Sequence, residues 1–270
     1  MDWQNLIEIA VMAVFQGIAE FLPISSSGHL AVLAKLSGQS AESAVNISIA
    51  LHAGTLVSIV LFYFRSLLNL LNRQGIRTVM LIFVGSLPAG VAGIVIKLLK
   101  LDDLLALKML VVGTGFLITA MLLRNGLKSS TDDGIKLEEM TIKQALLIGI
   151  AQAIAICPGI SRSGSTIASA LKLGVKKADC ARFSFFLAIP AIGGATLLQL
   201  ISALKKSGTE NIALFSTEVI IGFSISVVVG FVALKLLISM LNRGKLEYFS
   251  WYLWVIGIVV LSWGIIDLFI

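Results

Sequence analysis

Residues Gln16 to His29 run Gln-Gly-Ile-Ala-Glu-Phe-Leu-Pro-Ile-Ser-Ser-Ser-Gly-His and gather an amide, a carboxylate, three hydroxyls and an imidazole in one short stretch. These groups can carry out nucleophilic and acid–base chemistry. Gln16 and Glu20 lie four apart, so on a helix they share a face and can offer oxygen ligands to a divalent cation. Pro23 ends that helix. Ser25, Ser26, Ser27 and Gly28 then supply hydroxyl caps and a compact turn that opens a second helix, whose first N–H groups and positive dipole end suit an anion. His29 follows Ser26 by three residues, about one helical turn, within reach to take or give a proton.

A second loaded tip lies at Gln152 to Thr166. Setting residue 16 over 152 and running ungapped to 28 over 164 gives seven identities in thirteen positions, which reads as an internal repeat. Arg162 stands where Ser26 stands in the first copy. One tip therefore carries a carboxylate and an imidazole, the other a guanidinium whose planar fork suits phosphate-like oxygens. Ser161, Ser163, Ser165 and Thr166 add hydroxyls around it.

The surroundings decide what such tips mean. Of 270 residues, 57% are hydrophobic and 13% charged, with a mean hydropathy of +0.98. That excludes an ordinary soluble domain and predicts an all-α, polytopic membrane protein. Polar groups left unsatisfied in hydrocarbon cost several kcal/mol, roughly, so the two tips are expected to line a wet cavity and touch one another. Ionisable residues at that depth are functional candidates. The net charge of +6 comes from basic residues scattered among short loops, so it reads as a topology signal and nucleic acid is not an expected partner. Cys157 and Cys180 have no metal-ligand spacing and read as buried thiols. Lys35 is the first basic residue, so the N-terminus lacks the basic start of a cleaved signal and is expected to persist.

The layout repeats. Residues 6–37 form a hairpin too short in each limb to span, followed by spans over 45–64, 78–98 and 106–123. Gly85, Pro88, Gly90 and Gly93 predict a kinked, close-packed second span. The first repeat is 1–124, a hydrophilic linker covers 125–141, and the second repeat is 142–270. That second copy has its own re-entrant hairpin at 142–173, with Thr141 as its cap, and spans near 182–203, 217–241 and 248–269. Three crossings per half is an odd number, so the repeats are inverted and the tips approach from opposite faces, as in folds that share a midplane site. Arg65, Arg73, Arg77, Arg124, Lys128, Lys136, Lys143, Lys172, Lys176, Lys177, Arg243 and Lys245 then fall on one side. Lys35, Lys97, Lys100, Lys108, Lys205 and Lys206 fall on the other. The richer side is assigned to the cytoplasm, which puts both termini outside.

With Gln16-x-x-x-Glu20, Pro23-x-Ser25-Ser26-x-Gly28-His29 and Pro158-Gly159-x-Ser161-Arg162-Ser163-x-x-Thr166, the chain resembles the undecaprenyl-diphosphate phosphatase family, also called the bacitracin-resistance family. The resemblance covers essentially the whole length. It implies a multi-pass plasma-membrane enzyme that removes the terminal phosphate of a polyprenyl diphosphate, recycling the cell-wall lipid carrier. It also implies a divalent cation, magnesium or calcium, and an active site open to the outer side. The first glutamyl position, often Glu in the family, is Gln16 here, which leaves Glu20 to carry more of the metal-binding role.

On that chemistry Arg162 grips phosphate, Glu20 and Gln16 hold the metal, and Ser26 is the preferred nucleophile with His29 as its acid–base partner. The alternative is His29 itself attacking phosphorus. Ser25, Ser27, Gly28, Ser161, Ser163 and Thr166 are the candidate phosphate contacts. His52, four after Ser48, reads as a packing histidine, and Asp267 and Glu218 as water-facing groups near span ends. A secondary transporter or lipid flippase on the same scaffold is the rival, and lacks any need for a nucleophile beside a base. The sequence leaves the oligomeric state open.

Overall fold

The computed structural model describes residues 3–37, 45–99, 109–129, 131, 133–207, 216–267 and 269. Asp2, Lys100, Lys108, Asp132, Ile270 and the start of the span expected at 106–123 lie outside them. The described residues are built from α-helices: α1 (Trp3–Ala19), α2 (Ser26–Ser37), α3 (Val45–Phe62), α4 (Phe64–Leu70), α5 (Ile76–Leu98), α6 (Met109–Lys128), α7 (Ile142–Ile154), α8 (Arg162–Lys172), α9 (Lys177–Ser207), α10 (Thr217–Asn242) and α11 (Glu247–Ile266). Five of these, α5, α6, α9, α10 and α11, are long and apolar enough to cross a membrane. A sixth crossing arises if α3 and α4 act together, although the chain bends by 76° between them. The bend falls at Tyr63, whose ring is buried against Phe62, Phe185 and Phe186. This is the expected all-α, polytopic architecture, with two short apolar limbs, α1 and α7, in the places assigned to hairpins.

Local sequence sets several helix starts. Thr141 Oγ1 accepts the Gln144 backbone N–H at 3.2 Å while Gln144 Oε1 accepts the Thr141 backbone N–H at 2.9 Å, a reciprocal cap that opens α7. Ser216 caps α10 in the simpler way, accepting the Val219 N–H at 3.3 Å.

Packing partners exchange between the halves. α5 of the first half lies along α7, the first hairpin limb of the second half; α10, its counterpart, lies along α1. α3 packs on α9 and α6 on α11, each a pair of equivalent elements. Two interlocked copies produce this pattern, consistent with an inverted repeat. Small residues permit the closest crossings: a Cβ on Gly149 would sit 2.1 Å from the Gly85 carbonyl oxygen. Gly90 and Gly93 differ from the expectation, because nothing lies within 4 Å of a Cβ at either one. Close packing in α5 is thus concentrated at Gly85.

The larger core gathers Phe183, Phe185, Phe186 and Leu187 of α9 with Ile148, Ile167, Leu234 and Leu237. A smaller one joins α6, α8 and α11 through Val112, Phe116, Ala168 and Leu253. Phe83, Val91 and Ile94 on α5 and Val255, Ile258 and Val259 on α11 face outward, as lipid contact requires. The hydrophilic interval between the halves is not a loose tether. Leu137 and Met140 insert into the larger core, and Arg182 clamps Glu138 at 2.5 Å and Asp179 at 3.0 Å. Arg77 donates to the Met140 carbonyl at 3.1 Å and Gln144 to that of Leu173 at 3.1 Å, whereas Lys35 pairs with Asp267.

Candidate active site

The two hairpin tips meet. Both follow the same local construction three residues deep into the second limb: Ser25 Oγ accepts the Gly28 N–H at 3.3 Å, and Ser161 Oγ accepts the Gly164 N–H at 3.1 Å. Ser25 and Ser27 hydroxyls lie 3.4 Å apart, those of Ser161 and Ser163 3.2 Å apart. The aligned repeat positions are therefore equivalent in geometry as well as in type. The copies differ in where the chain turns. In the second tip Gly159 takes the left-handed conformation, φ 89°, at no steric cost; in the first it is Ser25, φ 66°, the one non-glycine residue with positive φ among those described. Such a conformation costs an L-residue about 1 kcal/mol or more and persists where surroundings impose it.

The two tips are in close contact. A Cβ on Gly28 would strike the Phe116 ring at 2.7 Å and Gly159 Cα at 2.8 Å, so the tips pass almost backbone to backbone. Ser163 Oγ donates to the Leu22 carbonyl at 3.3 Å, tying one tip to the other. Thr119 of α6 accepts the Ser161 N–H at 3.0 Å and donates to the Gly115 and Gly159 carbonyls. Sequence reasoning passed over Thr119, because a lone threonine in an apolar span carries no signal until the tip arrives beside it.

Glu20 is the centre. Arg162 Nη2 donates to its Oε1 at 2.8 Å, Gln16 Nε2 to its Oε2 at 3.0 Å, and Ser26 Oγ to the same Oε2 at 3.4 Å. The ion pair is mostly buried, the two side chains being 15% and 10% exposed. Arg162 also lies over the Phe185 ring, 5.9 Å from its centroid. Its second terminal nitrogen, Nη1, is buried without a hydrogen-bond partner. Leaving a buried donor unmet costs about 1–3 kcal/mol, so this one is poised for an acceptor. His52 of α3, read as a packing histidine, has its Nδ1 2.8 Å from the Ser48 carbonyl one turn back and is not in the wall of the cleft between the tips.

A small, partly open cleft lies between the tips, lined by Ala19, Glu20, Ser25, Ser26, Ser27, Ala155, Ile160, Ser161, Arg162 and Ser163. Gln16, Gly28, His29 and Thr166 are not in its wall. Gln16 reaches it through Glu20. Gly28 is a packing residue whose N–H is already engaged by the Ser25 cap. Thr166 is fully buried, donating to the Arg162 carbonyl at 2.8 Å and sharing a 2.6 Å hydrogen bond with Ser184, so it braces α8 against α9. His29 does not pair with Ser26. Its Nδ1 is 2.9 Å from the Ser25 carbonyl and its Nε2 2.6 Å from the Tyr252 hydroxyl, which turns the ring toward α11, and the group beside the Ser26 hydroxyl is the Glu20 carboxylate.

Charge and donors converge on one cleft in an otherwise apolar molecule, an arrangement that can grip a phosphate group and present a hydroxyl to it. Comparison with known proteins agrees in kind. The family model described as bacitracin resistance protein BacA matches residues 9–259. An undecaprenyl-diphosphatase of Methanosphaera stadtmanae is 36% identical over 97% of this chain and 99% of its own length. Another, from Rhodopirellula baltica, is 42% identical over 95% and 97%, and one from Halothermothrix orenii is 35% identical over 95% and 97%. With the helical architecture, the paired tips and this full-length similarity together, the chain belongs to the bacitracin resistance protein BacA family.

Proposed function

We propose that this chain is an integral membrane phosphatase that hydrolyses undecaprenyl diphosphate to undecaprenyl phosphate and phosphate, returning the lipid carrier of cell-wall synthesis to use. Bacitracin resistance is the trait named by its family. The observation that carries the reading at the level of residues is Arg162. One guanidinium nitrogen is held by Glu20 and the other is buried and unmet, a donor waiting for a phosphate oxygen.

Arg162 and the hydroxyls of Ser25, Ser27, Ser161 and Ser163 bind the terminal phosphoryl group. Ser26 Oγ attacks its phosphorus while the proton passes to Glu20, and the bond from phosphorus to the bridging oxygen breaks, releasing undecaprenyl phosphate. Water then attacks the phosphoserine, phosphate leaves, and Ser26 regains its proton. Positioning and charge stabilisation supply most of the catalysis in such transfers. Attack by His29 would require its Nε2 to leave Tyr252 and turn toward the cleft.

A divalent cation fits only as companion to the substrate. Among the described residues no three His, Cys, Asp or Glu side chains are grouped to hold one. Glu20 and the carbonyl oxygen of Gln16 would hold it from the protein side, and it would neutralise phosphate charge when bound. We further propose that the cleft opens to the outer face and that both termini lie there, on the Lys and Arg bias and the meeting of Lys35 with Asp267.

Phosphate release by purified protein given undecaprenyl diphosphate tests the function. Wild-type release that is abolished in Ser26→Ala is expected. Lipid binding or translocation without any release would instead favour a transporter or flippase.

A further inference from the structure

Arg162 is held to Glu20 through one nitrogen, Nη2, at 2.8 Å. A single hydrogen bond fixes one point of a planar guanidinium and leaves the plane free to swing about it, so another contact must aim the unmet Nη1. Phe185 of α9 supplies that contact. Its ring centroid is 5.9 Å from Arg162 Cζ, within the range over which a cation is drawn to a ring face. The same ring packs on Phe21, the chain neighbour of Glu20, at 5.6 Å between centroids, and stacks on Tyr63 at 6.3 Å. Phe185 is fully buried, so water does not screen the attraction. The residue before it fixes where it lands. Ser184 shares a 2.6 Å hydrogen bond with Thr166, and Thr166 donates to the Arg162 carbonyl at 2.8 Å. Thr166 follows Arg162 by four residues, one turn of α8, so two consecutive residues of α9 meet one face of α8.

We propose that Phe185 is a positioning residue for Arg162. Its electron-rich face holds the guanidinium plane so that Nη1 stays aimed at the terminal phosphate of the substrate. The bond between Ser184 and Thr166 sets α9 and α8 in the register that brings ring and cation together. Phe185 is not in the wall of the cleft, and it acts only through the orientation of a donor. The proposal rests on the reading that Arg162 grips phosphate. A ring that merely packs matters through its volume, whereas a ring that orients a cation matters through the charge distribution on its face.

Fluorinated phenylalanines placed at position 185 separate the two, because fluorine withdraws electron density from the ring face with little change of shape. Phosphate release from undecaprenyl diphosphate should slow stepwise as fluorines are added. With a trifluorinated ring kcat/KM should be lower by about three- to tenfold, while the unfolding temperature in the same detergent holds. Affinity for vanadate, a phosphate mimic, should weaken in the same order and reads the contact without turnover. Phe183, also fully buried on α9, is the control. The same series there should leave rate and vanadate binding unchanged. A flat series at Phe185, an equal fall at Phe183, or losses that track the unfolding temperature overturn the proposal. If the wild type releases no phosphate while vanadate affinity still falls stepwise at Phe185, the phosphatase reading fails and the positioning of Arg162 stands.

Discussion

Arg162→Lys separates charge from geometry. In the native site Arg162 gives one nitrogen to Glu20 at 2.8 Å and holds the other buried and unmet. A lysine ammonium can keep the pair with Glu20 but cannot present the second in-plane N–H to phosphate. Losing one preorganised donor to a transition-state oxyanion costs about 100- to 1,000-fold in rate, near 2.7–4 kcal/mol. Stability should change little, because the carboxylate retains a cationic partner. Arg162→Leu should behave differently, leaving Glu20 buried without its partner at a cost of about 3–5 kcal/mol. The assay is phosphate release from undecaprenyl diphosphate in mixed micelles across lipid concentrations, with thermal unfolding followed in the same detergent. A Lys variant within about threefold of wild type in kcat/KM would show that charge alone suffices and that the unmet nitrogen is idle. Equal loss of stability in the Lys and Leu variants would refute the account of the ion pair.

Gln16→Glu adds a carboxylate one turn from Glu20 and should lower the magnesium or calcium concentration needed for half-maximal rate, while Glu20→Gln should depress activity at every metal concentration; superimposable curves for both variants and wild type would remove these residues from the metal site. Gly149→Ala should lower the unfolding temperature sharply, because its Cβ would meet the Gly85 carbonyl oxygen at 2.1 Å and overpacking costs about 1–3 kcal/mol or more, whereas Gly90→Ala should be neutral or mildly stabilising. Thr119→Val should strand the Ser161 N–H, costing about 1–3 kcal/mol, and slow turnover by loosening the second tip; wild-type melting and rate together would contradict this. A topology reporter at the C-terminus should be active only when it functions outside the cytoplasm, and the opposite pattern would invert the assignment of sides.

Much of this protein is written in its linear pattern. Membrane residence, the hairpin limbs and the polar tips follow from composition, proline and cap residues, because each is a local response of the backbone to its own side chains. Ser25 and Ser161 cap the second limbs where the aligned repeat places them, and Thr141 caps α7 as its spacing with Gln144 requires. The meeting of the tips is also legible, since isolated polar clusters in hydrocarbon must find one another. What the sequence alone leaves open depends on atoms brought together from distant positions. Ser26 and His29 are one helical turn apart and read as partners, yet His29 turns to Tyr252, because the left-handed Ser25 aims a carbonyl at one nitrogen and α11 supplies a hydroxyl to the other. Thr166 and Gly28 sit in motif positions but serve packing, since α9 and the opposing tip occupy the space beside them. The pairing of Glu20 with Arg162, 142 residues apart, becomes definite only when two interlocked repeats bring the tips face to face. Local sequence sets which groups each tip carries; the crossing of the two copies decides which of those groups face the cleft, because side-chain direction is fixed by helix rotation and close approach that no single segment controls.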